Sequence, residues 1–336
     1  MIRRAGPKLT VAVCTWNRAR LLDQTLEQMR ALQEPAGGWE LIVVNNNCTD
    51  DTDEVIAKYA SELPLRRLFE PVPGQTNARN SAFASAAGEL IVWTDDDVLV
   101  DREWLVAYAE AATRYSDASF FGGPIHPWFE VEPPGWLVEV FPRVEAAFAT
   151  RDFGGQVFEL SESKTPFGAN YAVRTKVQRC YPYDPEVGLR PGSTMRGDEV
   201  SVLRRLLAAG HRGCWVPTAQ VRHYIPRERL SRRYLAGFYR GQGEFAARQT
   251  PLGGGSRFFG RPRWLWRKAL LCECRYRWSQ VSASPQIWVE RMIEANQCWG
   301  QLKASGHAAA DRSEEGALAV SPGTLSGPLA GDNVSR

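Results

Sequence analysis

Three consecutive aspartates, Asp95, Asp96 and Asp97, follow directly on an apolar run in "ELIVWTDDDVLV". Like charges at the end of a strand that a core must cover repel one another, so a compensating charge is needed. Asp95 and Asp97 stand two residues apart, and a tight turn lets both reach one point. Clustered carboxylate oxygens suit a hard divalent ion, Mg2+ or Mn2+, which commonly completes its shell with phosphate oxygens. Two other readings of the same residues stay open: solvated acids capping a helix that begins near "REWLV", and an aspartyl-phosphate site with Asp95 as nucleophile. A calcium loop is excluded, because the sixth and twelfth positions counted from Asp95 are Val100 and Val106.

A second acidic pair, Asp198 and Glu199, opens "GDEVSVLRRLLAAG", where Leu203, Leu206 and Leu207 form an apolar stripe at helical spacing. A carboxylate placed there can take a proton from an attacking hydroxyl. Acids in a first helical turn also stabilise the helix dipole with no catalytic role. His223 in "VRHY" offers an imidazole that suits Mn2+ better than Mg2+, although a lone histidine is more often structural.

The elements that must hold these residues alternate strand and helix through the first 120 positions, the pattern of a parallel sheet covered by helices. "LTVAVCT" (9–15), "WELIVVN" (39–45), "LRRLFE" and "ELIVWT" (89–94) read as strands; Leu22, Leu26, Met29 and Leu32 recur as one helix face. Each strand ends in a polar cluster, and in open parallel sheets ligands bind at that carboxyl edge. The pattern loosens from 124 to 166, an insertion or acceptor-side loop. Helices are expected over 227–249 and 262–299.

The 336 residues are enough for one large domain or two smaller ones. With 44% hydrophobic and 24% charged residues, the body is neither disordered nor fibrous. No apolar run reaches the roughly 18 residues of a membrane span, and the first residues carry no secretion signal. Seven scattered cysteines point to free thiols in a reducing compartment.

The net charge of +3 hides an asymmetry: residues 226–300 carry 14 Lys and Arg against 5 Asp and Glu. There arginines interleave with Trp, Tyr, Phe and Leu, as in helices that lie on anionic membranes. The same aromatics can instead pack the helices onto the preceding domain. No recognised nucleic-acid module is present, so no nucleic acid is expected as a partner.

Six stretches, in order, resemble the inverting glycosyltransferases of family 2, which have the GT-A fold. They are "VAVCTWNRARLL", "LIVVNNNCTDDT", "GQTNARNSAFASAAGELIVWTDDDV", "FFGGPI", "FGANYAVRTKV" with "YDPEVG", and the segment from Gly197 to Tyr224. The resemblance covers about the first 225 residues. It implies an α/β, Rossmann-like, mostly parallel sheet flanked by helices over 1–225, a basic helical extension over 226–300 and a disordered tail over 301–336.

The implied function is metal-dependent, inverting transfer of a sugar from a nucleotide-sugar donor to a hydroxyl of a saccharide, lipid-linked or protein acceptor. Asp97, Asp95 and His223 would hold Mn2+ or Mg2+. Thr15, Asn17, Arg18, Asn45, Arg79, Asp95 and Asp96 would bind the donor. Asn45 stands where the family usually has an aspartate, and Asp198–Glu199 reverses the usual Glu-Asp order; by position Glu199 matches the base. The expected location is cytoplasmic, with peripheral contact at the inner face of the membrane. A non-catalytic nucleotide-sugar binder or membrane adaptor is the alternative from another class, and a phosphohydrolase a minor one.

Overall fold

The computed structural model describes residues 9–188, 197–249 and 256–318. The strands β1 (Leu9–Thr15), β2 (Trp39–Asn45), β3 (Leu65–Phe69) and β4 (Leu90–Asp95) alternate with helices α1 (Ala19–Met29), α2 (Thr52–Tyr59) and α3 (Gln75–Ser85). The short strand β5 (Val98–Val100), helix α4 (Trp104–Arg114), strands β6 (Ala118–Gly122) and β7 (Ile125–Phe129) and helix α5 (Gly135–Val144) follow. Next come β8 (Tyr171–Arg174), α6 (Thr175–Gln178), α7 (Asp198–Ala208), β9 (Arg212–Trp215) and β10 (Val221–Ile225). The chain ends in α8 (Arg232–Gln249), a hairpin of β11 (Arg257–Phe258) and β12 (Arg261–Pro262), α9 (Arg263–Ser282) and α10 (Pro285–Leu318).

Seven strands form the main sheet in the order β3-β2-β1-β4-β8-β6-β9. The first four are parallel, β8 runs antiparallel to both neighbours, and β9 pairs parallel with β6. The alternation of strand side chains feeds two cores. Leu9, Val11 and Val13 point to one face, against Leu22, Leu26 and Met29 of α1 and Trp104 and Tyr108 of α4. Ala12, Ile42, Val44 and Trp93 point to the other, against Ala78 and Ala82 of α3 and Val202, Leu203 and Leu206 of α7. Burial of each such large apolar side chain contributes roughly 1.5–3 kcal/mol. Of the expected α7 stripe, Leu207 is only partly buried and Val202 takes its place inside.

A small sheet, β5-β10-β7, starts three residues past the end of β4, with β5 at Val98. Asn170 anchors it: its amide donates to the carbonyls of Pro124 and Ala219, and its oxygen accepts from Trp104 Nε1 and Tyr108 Oη. All its bonding capacity is used within a fully buried site, which fixes where β7 and β10 begin.

The C-terminal helices are not a separate unit. Leu235 and Tyr239 of α8 and Trp288, Val289 and Met292 of α10 share one core with Leu137 and Val140 of α5. Thus part of the loosely patterned 124–166 segment is helix α5, and it seats the extension. The expected helix over 262–299 divides at Ala283, whose extended backbone precedes Pro285. Helix α10 then runs on through Leu318, so residues 301–318, expected as disordered tail, are helical in the structure. Leu302 and Ser305 are buried there; residues 319–336 lie outside the described residues. All seven cysteines are free, and among the described residues no helix is long and apolar enough to cross a membrane.

Helices α8 and α10 cross at two glycines. A Cβ on Gly243 would stand 2.1 Å from the Gln297 carbonyl oxygen, and one on Gly300 2.0 Å from that of Arg240. Gly237, also on α8, has nothing within 4 Å of its Cβ position. Gly243→Ala and Gly300→Ala should each lower stability by about 1–3 kcal/mol through overpacking, seen as an earlier denaturant midpoint. Gly237→Ala should be neutral or stabilise by up to about 1 kcal/mol.

Candidate active site

Strand β4 delivers the aspartates to the sheet's carboxyl edge, and the turn between β4 and β5 is clamped from helix α1. Thr25 Oγ1 donates to the Asp96 carbonyl at 2.9 Å and accepts from Val98 N at 3.3 Å. Asp96 Oδ2 accepts from Thr15 Oγ1 at 2.7 Å, and Arg18 Nη1 bridges Asp96 Oδ1 at 2.9 Å and Asp97 Oδ2 at 3.0 Å. One guanidinium therefore offsets part of the repulsion within the trio. Antiparallel pairing sets His223 opposite Val98, so an imidazole from over a hundred residues away arrives beside Asp97. Its Nε2 lies 3.4 Å from Asp97 Oδ1.

Charge states follow from this packing. Burial raises Asp95 and pushes Asp96 up to about 7 against the pull of Arg18. Burial also opposes ionisation of Asp97, but His223 and Arg18 outweigh it and hold the carboxyl low. Burial holds His223 below its usual range, against the pull of the Asp97 carboxylate.

A divalent cation fits these residues on one observation. Asp97 Oδ1 and His223 Nδ1 are buried with no hydrogen-bond partner, and it is the other ring nitrogen, Nε2, that faces the carboxylate. Among the described residues no group of three or more His, Cys, Asp or Glu gathers as a metal cage. Asp95, expected to share the cation, borders the cleft with its carboxylate 3.7 Å from Arg79.

Arg79 is the residue whose surroundings the sequence concealed. It could pass for a surface arginine, yet it is 3% exposed, with its guanidinium 5.8 Å from the Trp93 ring and 5.5 Å from the Tyr183 ring. Nη1 makes a 2.7 Å ion pair with Asp198 Oδ2 and lies 4.0 Å from Glu199 Oε2. It thereby ties the end of β4 to the start of α7. The two acids consequently differ: Asp198 is engaged and buried, while the Glu199 side chain keeps 16% exposure at the cleft. Burial, then the Asp198 carboxylate, push Glu199 up to about 8. Gly168 lies against this pair, since a Cβ there would stand 2.8 Å from Arg79 Nη2.

These residues line a cleft of about 1370 Å³. Thr15, Asn17, Arg18, Arg79, Asp95, Asp96, Asp97, Asp198, Glu199 and His223 all border it. Asn45 does not. It is 2% exposed, its carbonyl accepts from Cys48 N at 2.8 Å, and its amide donates to Asp53 Oδ1 at 2.6 Å, which holds it behind the cleft wall. Asn17, in left-handed backbone at φ 52°, accepts from Thr49 N and so joins the loops after β1 and β2.

Two further contributions went unread in the sequence. Trp16, half exposed, presents a ring at the cleft; its place between Thr15 and Asn17 was the available signal. Helix α8 supplies the opposite wall through Arg233, Phe238 and Phe245, and the Phe245 ring lies 3.5 Å from where a Gly197 Cβ would be.

Residues 10–150, which carry the aspartate trio, match the model of "Glycosyl transferase family 2". The match places residues 10–150 with glycosyltransferase family 2. The chain is 29% identical over 148 residues to validoxylamine A glucosyltransferase of Streptomyces hygroscopicus, a match that covers 42% of this chain and 34% of that protein. It is 23% identical over 233 residues to the succinoglycan biosynthesis protein ExoM of Rhizobium meliloti, covering 68% of this chain and 70% of that one. Its fold resembles that of the mannosyltransferase PcManGT from Pyrobaculum calidifontis, solved with GDP-Man and Mn2+: TM-score 0.51, 18% identity, 93% of this chain and 80% of that one. The family 2 domain thus has the GT-A fold, and the structural likeness runs on into the C-terminal helices.

Replacing Arg79 tests the bridge. Arg79→Ala strands the buried Asp198 carboxylate and should cost about 3–5 kcal/mol in denaturant unfolding. Arg79→Lys, which keeps the charge without the planar fork, should fall between that variant and the wild type.

Proposed function

We propose that the protein transfers a sugar from a nucleotide-sugar donor to an acceptor hydroxyl with inversion at the anomeric carbon, and that Glu199 is the base. The observation that carries this reading is the division of labour imposed by Arg79. Asp198 is locked in an ion pair, while Glu199 faces the cleft with a raised proton affinity, the condition that suits a general base near neutral pH.

The acceptor hydroxyl approaches along the α8 wall and gives its proton to the Glu199 carboxylate as its oxygen bonds to the anomeric carbon. The bond from that carbon to the diphosphate oxygen breaks on the opposite side, and its electron pair leaves with the nucleoside diphosphate. Asp97 and His223 are the residues that would hold a divalent cation. When bound, Mn2+ or Mg2+ offsets the negative charge that builds on the leaving diphosphate. Thr15 and Arg18 hold the Asp96–Asp97 turn in place, and Trp16 offers a flat face to the nucleobase. At about 1370 Å³ the cleft exceeds the roughly 300–1,000 Å³ of a single small-molecule pocket, which leaves room for donor and acceptor together. PcManGT was solved with GDP-Man and Mn2+, which supports a donor of this class. The acceptor is a saccharide, a lipid-linked glycan or a protein.

Glu199→Gln should bind the donor as the wild type does and lose roughly 10²–10⁴-fold in transfer. A variant that turns over normally would remove Glu199 from the chemistry, and a binder without catalysis would show no transfer to lose. Because the base must be unprotonated, kcat/KM for the wild type should rise with pH and level off above an apparent pKa of about 8. A profile that stays flat from about one unit below that value to about one unit above it contradicts the assignment.

A further inference from the structure

Helix α9 is apolar on two sides. Leu265, Ala269 and Cys272 pack against Ala295, Cys298 and Leu302 of α10. On the other side Trp264, Leu271 and Trp278 recur every seven residues and are 44%, 60% and 75% exposed. Seven residues make nearly two turns, so the three drift by only about 20° per step and form one stripe along the helix. In the adjacent hairpin Phe258 and Phe259 are also exposed, at 53% and 80%, with Phe258 near the Trp266 ring. Isolated exposed apolar residues are ordinary, but three large ones on one helix face, interspersed with basic side chains, mark a contact surface.

The charge around the stripe selects the partner. Arg267, Lys268 and Arg275 are exposed on the same side of the helix, and no acidic partner for them is found among the described residues. The helix's one acid, Glu273, is paired with Arg277. A second copy docking on this face would bring like charges together. An anionic bilayer supplies the opposite sign, and its headgroup–acyl boundary accepts Trp and Leu while guanidinium groups stay at the phosphates.

We infer that the exposed face of α9, with the β11–β12 hairpin, seats the protein on an anionic phospholipid surface without crossing it. None of the stripe residues borders the cleft, so this contact stands apart from the proposed transfer. Donor binding measured on the same samples tells failure of one from failure of the other.

The test is co-sedimentation of the full chain with vesicles. Wild type should pellet with phosphatidylglycerol-containing vesicles, release as salt is raised, and remain in solution with pure phosphatidylcholine. The stripe variant Trp264→Ala/Leu271→Ala/Trp278→Ala should partition at least about tenfold less. The charge variant Arg267→Gln/Lys268→Gln/Arg275→Gln, which changes only exposed heads, should also lose at least about tenfold and covers the case of a stripe variant that does not fold. Wild type that stays in the supernatant overturns the inference, as do charge variants that pellet undiminished. A wild-type dimer that the stripe variant dissociates also overturns it, because the face would then belong to a second copy.

Discussion

The ion pair between Arg79 and Asp198 holds the two halves of the site in register. A guanidinium buried between Trp93 and Tyr183 cannot stay charged there without a carboxylate, and the Asp198 carboxylate cannot be buried without the guanidinium. Each compels the other, and the compulsion joins α3, the end of β4 and the start of α7 at one point. Glu199 follows from it: the residue after a locked aspartate on a helix must point elsewhere, and here it points into the cleft. The reversed Asp-Glu order keeps a carboxylate for each job, one for structure and one at the solvent-facing edge.

The aspartate trio obeys the same rule. Asp96 and Asp97 are buried and Asp95 half-buried, and the cluster persists because Arg18 binds two of them, Arg79 faces the third and the His223 imidazole stands beside Asp97. What remains is one carboxylate oxygen and one ring nitrogen without partners. A protein that leaves such atoms unsatisfied in its interior forgoes about 1–3 kcal/mol for each, a deficit that ligand binding can recover. The C-terminal helices close the cleft opposite these groups. Gly243 and Gly300, where α8 and α10 touch backbone to backbone, therefore bear on the shape of the site as well as on the helical layer.

Local pattern carried much of this into the sequence. Strands β1, β2 and β4 and the α1 stripe are written in residues a few positions apart, and so are the polar clusters at the strand ends; the trio and the Asp198–Glu199 pair could be found for that reason. What could not be read depends on long-range pairing. Arg79 looks like any helical arginine until Asp198, over a hundred residues away, meets it. Asn45 stands at an expected donor-binding position, yet its side chain bonds to Asp53 and to Cys48 N and does not border the cleft. The basic extension read as a separate region because its apolar face gives no hint of α5, the element that receives it. Residues 301–318 lack a clear period but are rich in alanine, which favours helix whatever the pattern.

The central claim is that Asp97 and His223 together form a site that is completed by a divalent cation and a nucleoside diphosphate. Calorimetric titration of UDP or GDP into the wild type and into Asp97→Ala, with and without Mn2+, addresses it directly. The cation should tighten nucleotide binding by about 5–150-fold in the wild type and by far less in the variant. Equal affinity in all four titrations, or no binding of either nucleotide to folded protein, would contradict it.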